Sequence, residues 1–166
     1  QQLLLDSISS IYKADPANYF ILEPTFPLSV LLEKMHKKPK KIQCGLLKLV
    51  EFVPENLRFV PCKELVAISV VIKDPECTEE TGLLCLESLQ NILKVKASLF
   101  KNVFREVGLL EVLVLKLQIC DEDQELVQPI IDILQVSSVF FQILFPSLSV
   151  FFSLQSLALL PRLECT

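Results

Sequence analysis

The chain has 166 residues, 51% apolar and 22% charged, with a net charge of −4, three glycines and no tryptophan. A chain of this size suits one domain that buries about 70% of its unfolded surface, and its composition excludes intrinsic disorder. The negative balance offers nothing to neutralise a phosphate backbone, so nucleic acid is excluded as a partner class, and three isolated glycines cannot build a phosphate-cradling loop. An all-helical protein is expected.

The first ten residues, QQLLLDSISS, carry no initiator Met and no basic segment, and Asp6 and the serines interrupt the apolar run, so they do not form a signal peptide. A chain opening in this way, mid-helix, is expected to be a slice of a larger protein. Residues 15–35, DPANYFILEPTFPLSVLLEKM, place a short segment with Phe20, a proline-rich break and an apolar helix in succession. Residues 53–72, VPENLRFVPCKELVAISVVI, repeat that plan with Phe59 and a break at Pro61, and Pro54 before Glu55 marks the start of a short helix. Residues 99–117, LFKNVFREVGLLEVLVLKL, repeat it again with Phe104 and a break at Gly108. A further helix is expected after each, over 41–53, 81–95 and 125–136. In the second of these, Leu83, Leu86, Leu89, Ile92 and Leu93 fall on one helical stripe.

One short helix and two longer ones, three times over, recur at a period of about 42 residues, the signature of HEAT and armadillo arrays. The predicted fold is therefore all-α, an armadillo/HEAT-like right-handed superhelical solenoid of about three repeats over residues 1–135. Such units cannot bury their apolar faces alone and stack into a shared core. Gly108 suits a corner because glycine accepts positive φ, while Pro27 and Pro61 end one helix and are tolerated at the start of the next.

Residues 136–166 form a divergent apolar tail, and no charge appears between Ile133 and Pro161. A span of about 20 apolar residues crosses a bilayer. Pro146, however, divides the run into two pieces of roughly 20 Å, each short of the ~30 Å hydrocarbon core. The Phe, Ser, Leu and Pro bias also fits an alternatively spliced or non-coding-derived end. A membrane-tethered helical chain anchored by 133–161 stands as the alternative to a scaffold.

Chemistry finds little footing. The six cysteines show no C-x-x-C pair and read as reduced core residues, and no metal site is expected. The single histidine, His36, sits in EKMHKKPKK and reads as a solvated side chain without a catalytic partner. Asp121-Glu122-Asp123 reads as a solvated loop. No catalytic residue and no cofactor is assigned, and the chain is not expected to be an enzyme.

Two surfaces are candidates for binding. Lys34, Lys37, Lys38, Lys40 and Lys41 form a basic loop that is either a solvated turn or a contact with anionic headgroups or an acidic partner. Placing CLESLQNIL over GLLKLVEFV and PIIDILQV aligns Glu51, Asn91 and Gln135 on the third helix of each unit. Those groups either face water or meet a protein partner. An armadillo-type adaptor for basic peptides is disfavoured by the lack of tryptophan.

LLLDSISSIYKADPANYFILEPTFPLSVLLEKMHKKPKKIQCGLLKLVEFV and FKNVFREVGLLEVLV resemble the N-terminal armadillo-like region of the WD-repeat and FYVE-domain-containing BEACH proteins, the autophagy-linked FYVE family. The resemblance covers roughly residues 1–135. It implies a scaffold role in selective autophagy and endosomal membrane traffic, with antigen handling in one branch. It also implies a cytoplasmic location, peripheral contact with those membranes and protein partners. The family's lipid-binding and autophagy-protein-binding domains have no counterpart here, so no functional residue is carried over.

Overall fold

The computed structural model describes residues 2–121 and 125–137, and every regular element among them is helical. In chain order these are α1 (Gln2–Ala14), α2 (Asn18–Leu22), α3 (Leu28–Leu32), a 3-10 turn (Met35–Lys37), α4 (Lys40–Leu57), α5 (Cys62–Lys73), α6 (Glu79–Glu106), α7 (Leu109–Ile119) and α8 (Val127–Ser137). The all-α expectation holds. Most of the tail, from residue 138 onward, and with it nearly all of the charge-free run, lies outside the described residues.

The long helices pack in two rows. In one, α3 packs on α5 and α5 on α7; in the other, α1 packs on α4, α4 on α6 and α6 on α8. The rows meet where α3 touches α4, α5 touches α6, and α7 touches both α6 and α8. Between them runs one continuous apolar core, from Leu5 to Leu134. On α6 the expected stripe is there: Leu86, Leu89, Ile92 and Leu93 are buried, Cys85 joins them, and Leu83 is only partly covered.

Three predicted corners have clear local causes. Gly108 takes φ +71° between α6 and α7, and its N–H donates to the Arg105 carbonyl at 3.0 Å. A Cβ there would meet nothing nearer than Glu111 Oε2 at 4.0 Å, so backbone conformation and not space requires glycine. Pro27 and Pro61 stand immediately before α3 and α5, where a missing N–H costs no helical hydrogen bond. The start of α6 is set differently. Thr78 Oγ1 accepts the Thr81 N–H at 3.3 Å, and Glu79 and Glu80 place negative charge in the first turn.

Other expected boundaries are absent. The helices expected over 41–53 and 81–95 run on through the segments read as separate short helices, so that α4 extends to Leu57 and α6 to Glu106. Pro54 does not start a helix; it lies in the last turn of α4, where it deprives only the Val50 carbonyl of a donor. Its neighbours Val50 and Val53 are fully buried, and that packing holds the turn together. The chain leaves α4 at Arg58, which takes the left-handed conformation at φ 51°. The three phenylalanines of the repeat pattern also differ in environment. Phe104 is wholly buried, whereas Phe20 and Phe59 are exposed and meet edge to face at 5.1 Å.

Among the described residues, a set of side-chain hydrogen bonds joins residues far apart in sequence, with separations from 38 to 46. They include Tyr19 to Glu64 (3.2 Å), Thr81 to Gln43 (3.0 Å), Asn91 to Glu51 (3.4 Å) and Gln90 to Asp132 (3.5 Å). The ion pairs His36–Asp74 and Lys37–Glu76 have similar spacing.

Candidate functional site

The row formed by α4, α6 and α8 carries two of the three aligned polar residues side by side. Asn91 Nδ2 donates to Glu51 Oε2 at 3.4 Å, and Lys94 Nζ donates to Asn91 Oδ1 at 3.2 Å. Partial burial raises the Glu51 carboxyl above its ordinary value, opposed by the Asn91 hydrogen bond and reinforced by the carboxylates of Glu55 and Glu87. Glu51 is therefore a better acceptor for an incoming cation or amide than a fully hydrated carboxylate, because part of its desolvation is already complete.

From α8, the group that continues this row is Asp132. Gln90 Nε2 donates to Asp132 Oδ2 at 3.5 Å, and Gln128 Nε2 donates to its Oδ1 at 2.7 Å. Gln135 lies three residues further along α8 and is exposed. The sequence contained the signal for Asp132: Asn-Ile-Leu at 91–93 repeats as Asp-Ile-Leu at 132–134, and the Ile-Leu pair is buried in both places. One turn beyond Glu51 and Asn91 opens a cavity of about 420 Å³ lined by Pro54, Glu55, Arg58, Val95, Leu99 and Phe100. Polar groups in a row beside a partly apolar hollow can hold the backbone and one side chain of an extended segment.

The five lysines of the basic loop are placed unequally. Lys37 Nζ lies 2.7 Å from Glu76 and Lys40 Nζ 2.5 Å from Glu80, and these contacts raise both ammonium groups above the usual lysine value. The Lys38 carbonyl accepts from Gln43 Nε2 at 2.8 Å. Lys34 and Lys41 are exposed. Lys40 and Lys41, with Lys13 and Lys48, also border a groove of about 670 Å³ between α1 and α4, beside Tyr12 and Phe52. On the other row, Val66 and Val70 of α5 and Val30 of α3 are exposed.

His36 is not solvated. Its side chain is only 3% exposed, because fully buried Met35 anchors the turn and carries the next residue against the loop after α5, with Nε2 3.6 Å from Asp74 Oδ2. The cysteines are not uniformly core either: Cys85 is buried and burial pushes its thiol up, while Cys62 at the start of α5 is exposed. Of the acidic loop, Asp121 is exposed and residues 122–124 lie outside the described residues. Among the described residues no helix is long and apolar enough to cross a membrane.

No protein-family model matches the chain, and no solved structure does. Curated proteins do, among them the two that follow. The chain is 35% identical over 121 residues to WD repeat- and FYVE domain-containing protein 4 of Mus musculus, a match that covers 70% of this chain and 4% of the relative. It is 32% identical over 121 residues to the Homo sapiens protein of the same name, covering 69% of this chain and again 4% of the relative. The chain thus spans about 4% of the length of the curated relatives it matches. With about 70% of its length matched in this way, the chain belongs to the family of WD repeat- and FYVE domain-containing proteins.

Proposed function

We propose that the chain is a non-enzymatic interaction scaffold. In this reading residues 1–135 form an armadillo/HEAT-like, right-handed superhelical solenoid of about three repeats of about 42 residues, and 136–166 form a separate apolar tail. The observation that carries it is the set of hydrogen bonds among the described residues at separations of 38 to 46. In a stack of repeats each residue meets its counterpart one period away, so contacts gather at that spacing. The two rows of helices support the same reading.

Glu51, Asn91 and Gln135, together with Asp132, line the face offered to an extended segment of a protein partner. The lysines 34, 37, 38, 40 and 41 lie near anionic headgroups when the scaffold meets a membrane, each contributing about 1 kcal/mol at most. Glu76 and Glu80 offset two of them. Family membership supports a part in a large BEACH-type scaffold, cytoplasmic and peripherally associated with endosomal and autophagic membranes. The resemblance to the family's fourth member further implies a part in antigen cross-presentation.

The test is comparative capture of partners by the full chain and by Asn91→Ala, with thermal unfolding of both. Asn91 is half-buried and its bonds are long, and alanine recovers several tenths of a kcal/mol in helix propensity. Unchanged melting with about 10-fold weaker binding of a captured partner is the expected result, equivalent to ~1.4 kcal/mol. Equal binding by the two proteins would remove this face from the proposal.

A further inference from the structure

We propose that His36, Asp74 and Glu76 form a zinc(II) site that fastens the turn before α4 to the loop before α6. One ligand atom from each of the three lies within 4.8 Å of the other two. The histidine is the independent indication of a ligand. Its side chain is 3% exposed, and neither Nδ1 nor Nε2 has a hydrogen-bond partner. An imidazole always presents two polar nitrogens, and leaving a buried one unpaired costs about 1–3 kcal/mol. The ring points Nε2 at Asp74 Oδ2, 3.6 Å away. That is too long for an N–H···O bond, which closes at about 2.7–3.2 Å. It is close to the edge of a zinc tetrahedron, about 3.4 Å for metal–ligand bonds of ~2.0–2.1 Å.

The chemistry of the donors selects the ion. Calcium and magnesium take oxygen ligands, whereas an imidazole beside carboxylates suits zinc and its neighbours in the first transition row. A neutral histidine and two carboxylates together offset the double positive charge. Asp74 Oδ1 accepts the Glu76 N–H at 2.8 Å, so that oxygen fixes the loop while Oδ2 remains for the metal. Asp74 and Glu76 are 31% and 67% exposed, which gives the ion an entry path and leaves room for water as the fourth ligand. Lys37 is the competitor: its ammonium, 2.7 Å from Glu76 Oε2, is displaced from that oxygen or repels the ion.

The experiment is zinc titration of the full chain by calorimetry with thermal unfolding alongside, repeated on Asp74→Asn, Glu76→Gln and Lys37→Met. Asparagine keeps the loop's acceptor oxygen, and Glu76 is exposed, so these variants test ligation and not folding; unchanged melting of the metal-free proteins checks it. One zinc per chain is expected, with the melting temperature raised by the metal. Asp74→Asn and Glu76→Gln each weaken binding at least about 10-fold, and Lys37→Met tightens it. Cobalt(II) substitution reads the ligand type, since half-buried Cys77 lies close by in the same loop. Weak visible bands without an intense thiolate charge-transfer band are expected. A dissociation constant above about 1 mM, equal binding by both carboxylate variants, or a thiolate band would each overturn the assignment.

Discussion

Glu64 on α5 is 1% exposed, with Oε1 accepting from the Tyr19 hydroxyl at 3.2 Å and Oε2 without a partner. Burial raises its carboxyl above the ordinary value, and neither its own backbone bond nor the Tyr19 bond cancels that. The same pairing and burial push the Tyr19 hydroxyl strongly upward. Because the folded chain holds the Glu64 proton more tightly than the unfolded chain does, its contribution to stability is full below 4.5. It is lost as pH climbs from there through the folded value. Glu64→Gln keeps an oxygen for Tyr19 and removes the charge. It is expected to stabilise the protein at pH 8 by about 1 kcal/mol, the low end of the cost of an incompletely paired buried group, and to change little at pH 4. Urea unfolding at both pH values checks this; equal gains at the two would show that the effect is not ionisation.

At the scale of elements, the Gly108 corner isolates backbone conformation from packing. Gly108→Ala adds a methyl group into open space at a positive φ, so it is expected to cost about 1 kcal/mol, read as a lower midpoint in urea with an unchanged slope. No loss would mean that the α6–α7 corner relaxes out of the left-handed region. That corner was legible in the sequence because one residue type satisfies it and the residue is local. The prolines at 27 and 61 were legible for the same reason. Pro54 misled because proline is read as a boundary, yet in a last turn it forfeits one bond, which burial of Val50 and Val53 outweighs. The join of the segment around Phe104 to α6 was hidden too, since nothing between Val95 and Gly108 breaks a helix and tertiary packing alone decides whether one begins afresh. In the row formed by α4, α6 and α8, Glu51 and Asn91 were found together because the sequences around them align and the two helices pack on one another. Asp132 was missed because the α8 pattern was placed by its polar end and not by its buried Ile-Leu pair. His36 could not be read at all: its burial depends on the loop that carries Asp74, far off in sequence and beyond any local window.

For the molecule as a whole, the question is how strongly neighbouring long helices are tied to one another. The core is continuous, so unfolding is expected in a single transition. A buried polar chain crosses between α4 and α6 within it. Thr81 Oγ1 donates to Gln43 Oε1 at 3.0 Å, Gln43 Nε2 donates to the Lys38 carbonyl at 2.8 Å, and Thr78 Oγ1 donates to Thr81 Oγ1 at 3.0 Å. Both Gln43 and Thr81 are more than nine-tenths buried, so removing one partner strands the other away from water. Thr81→Val is expected to cost about 1–3 kcal/mol, and Gln43→Met a similar amount. Together they replace a polar contact with an apolar one of similar shape, so the double variant loses less than the two single losses added, with a coupling of about 0.5–3 kcal/mol. Urea unfolding of the four proteins closes the cycle. A coupling indistinguishable from zero would mean that the apolar core alone joins α4 to α6 and that the polar bonds merely accompany it. A split transition in Thr81→Val alone would give the opposite answer, with the bond between Gln43 and Thr81 holding the stack together as one cooperative body.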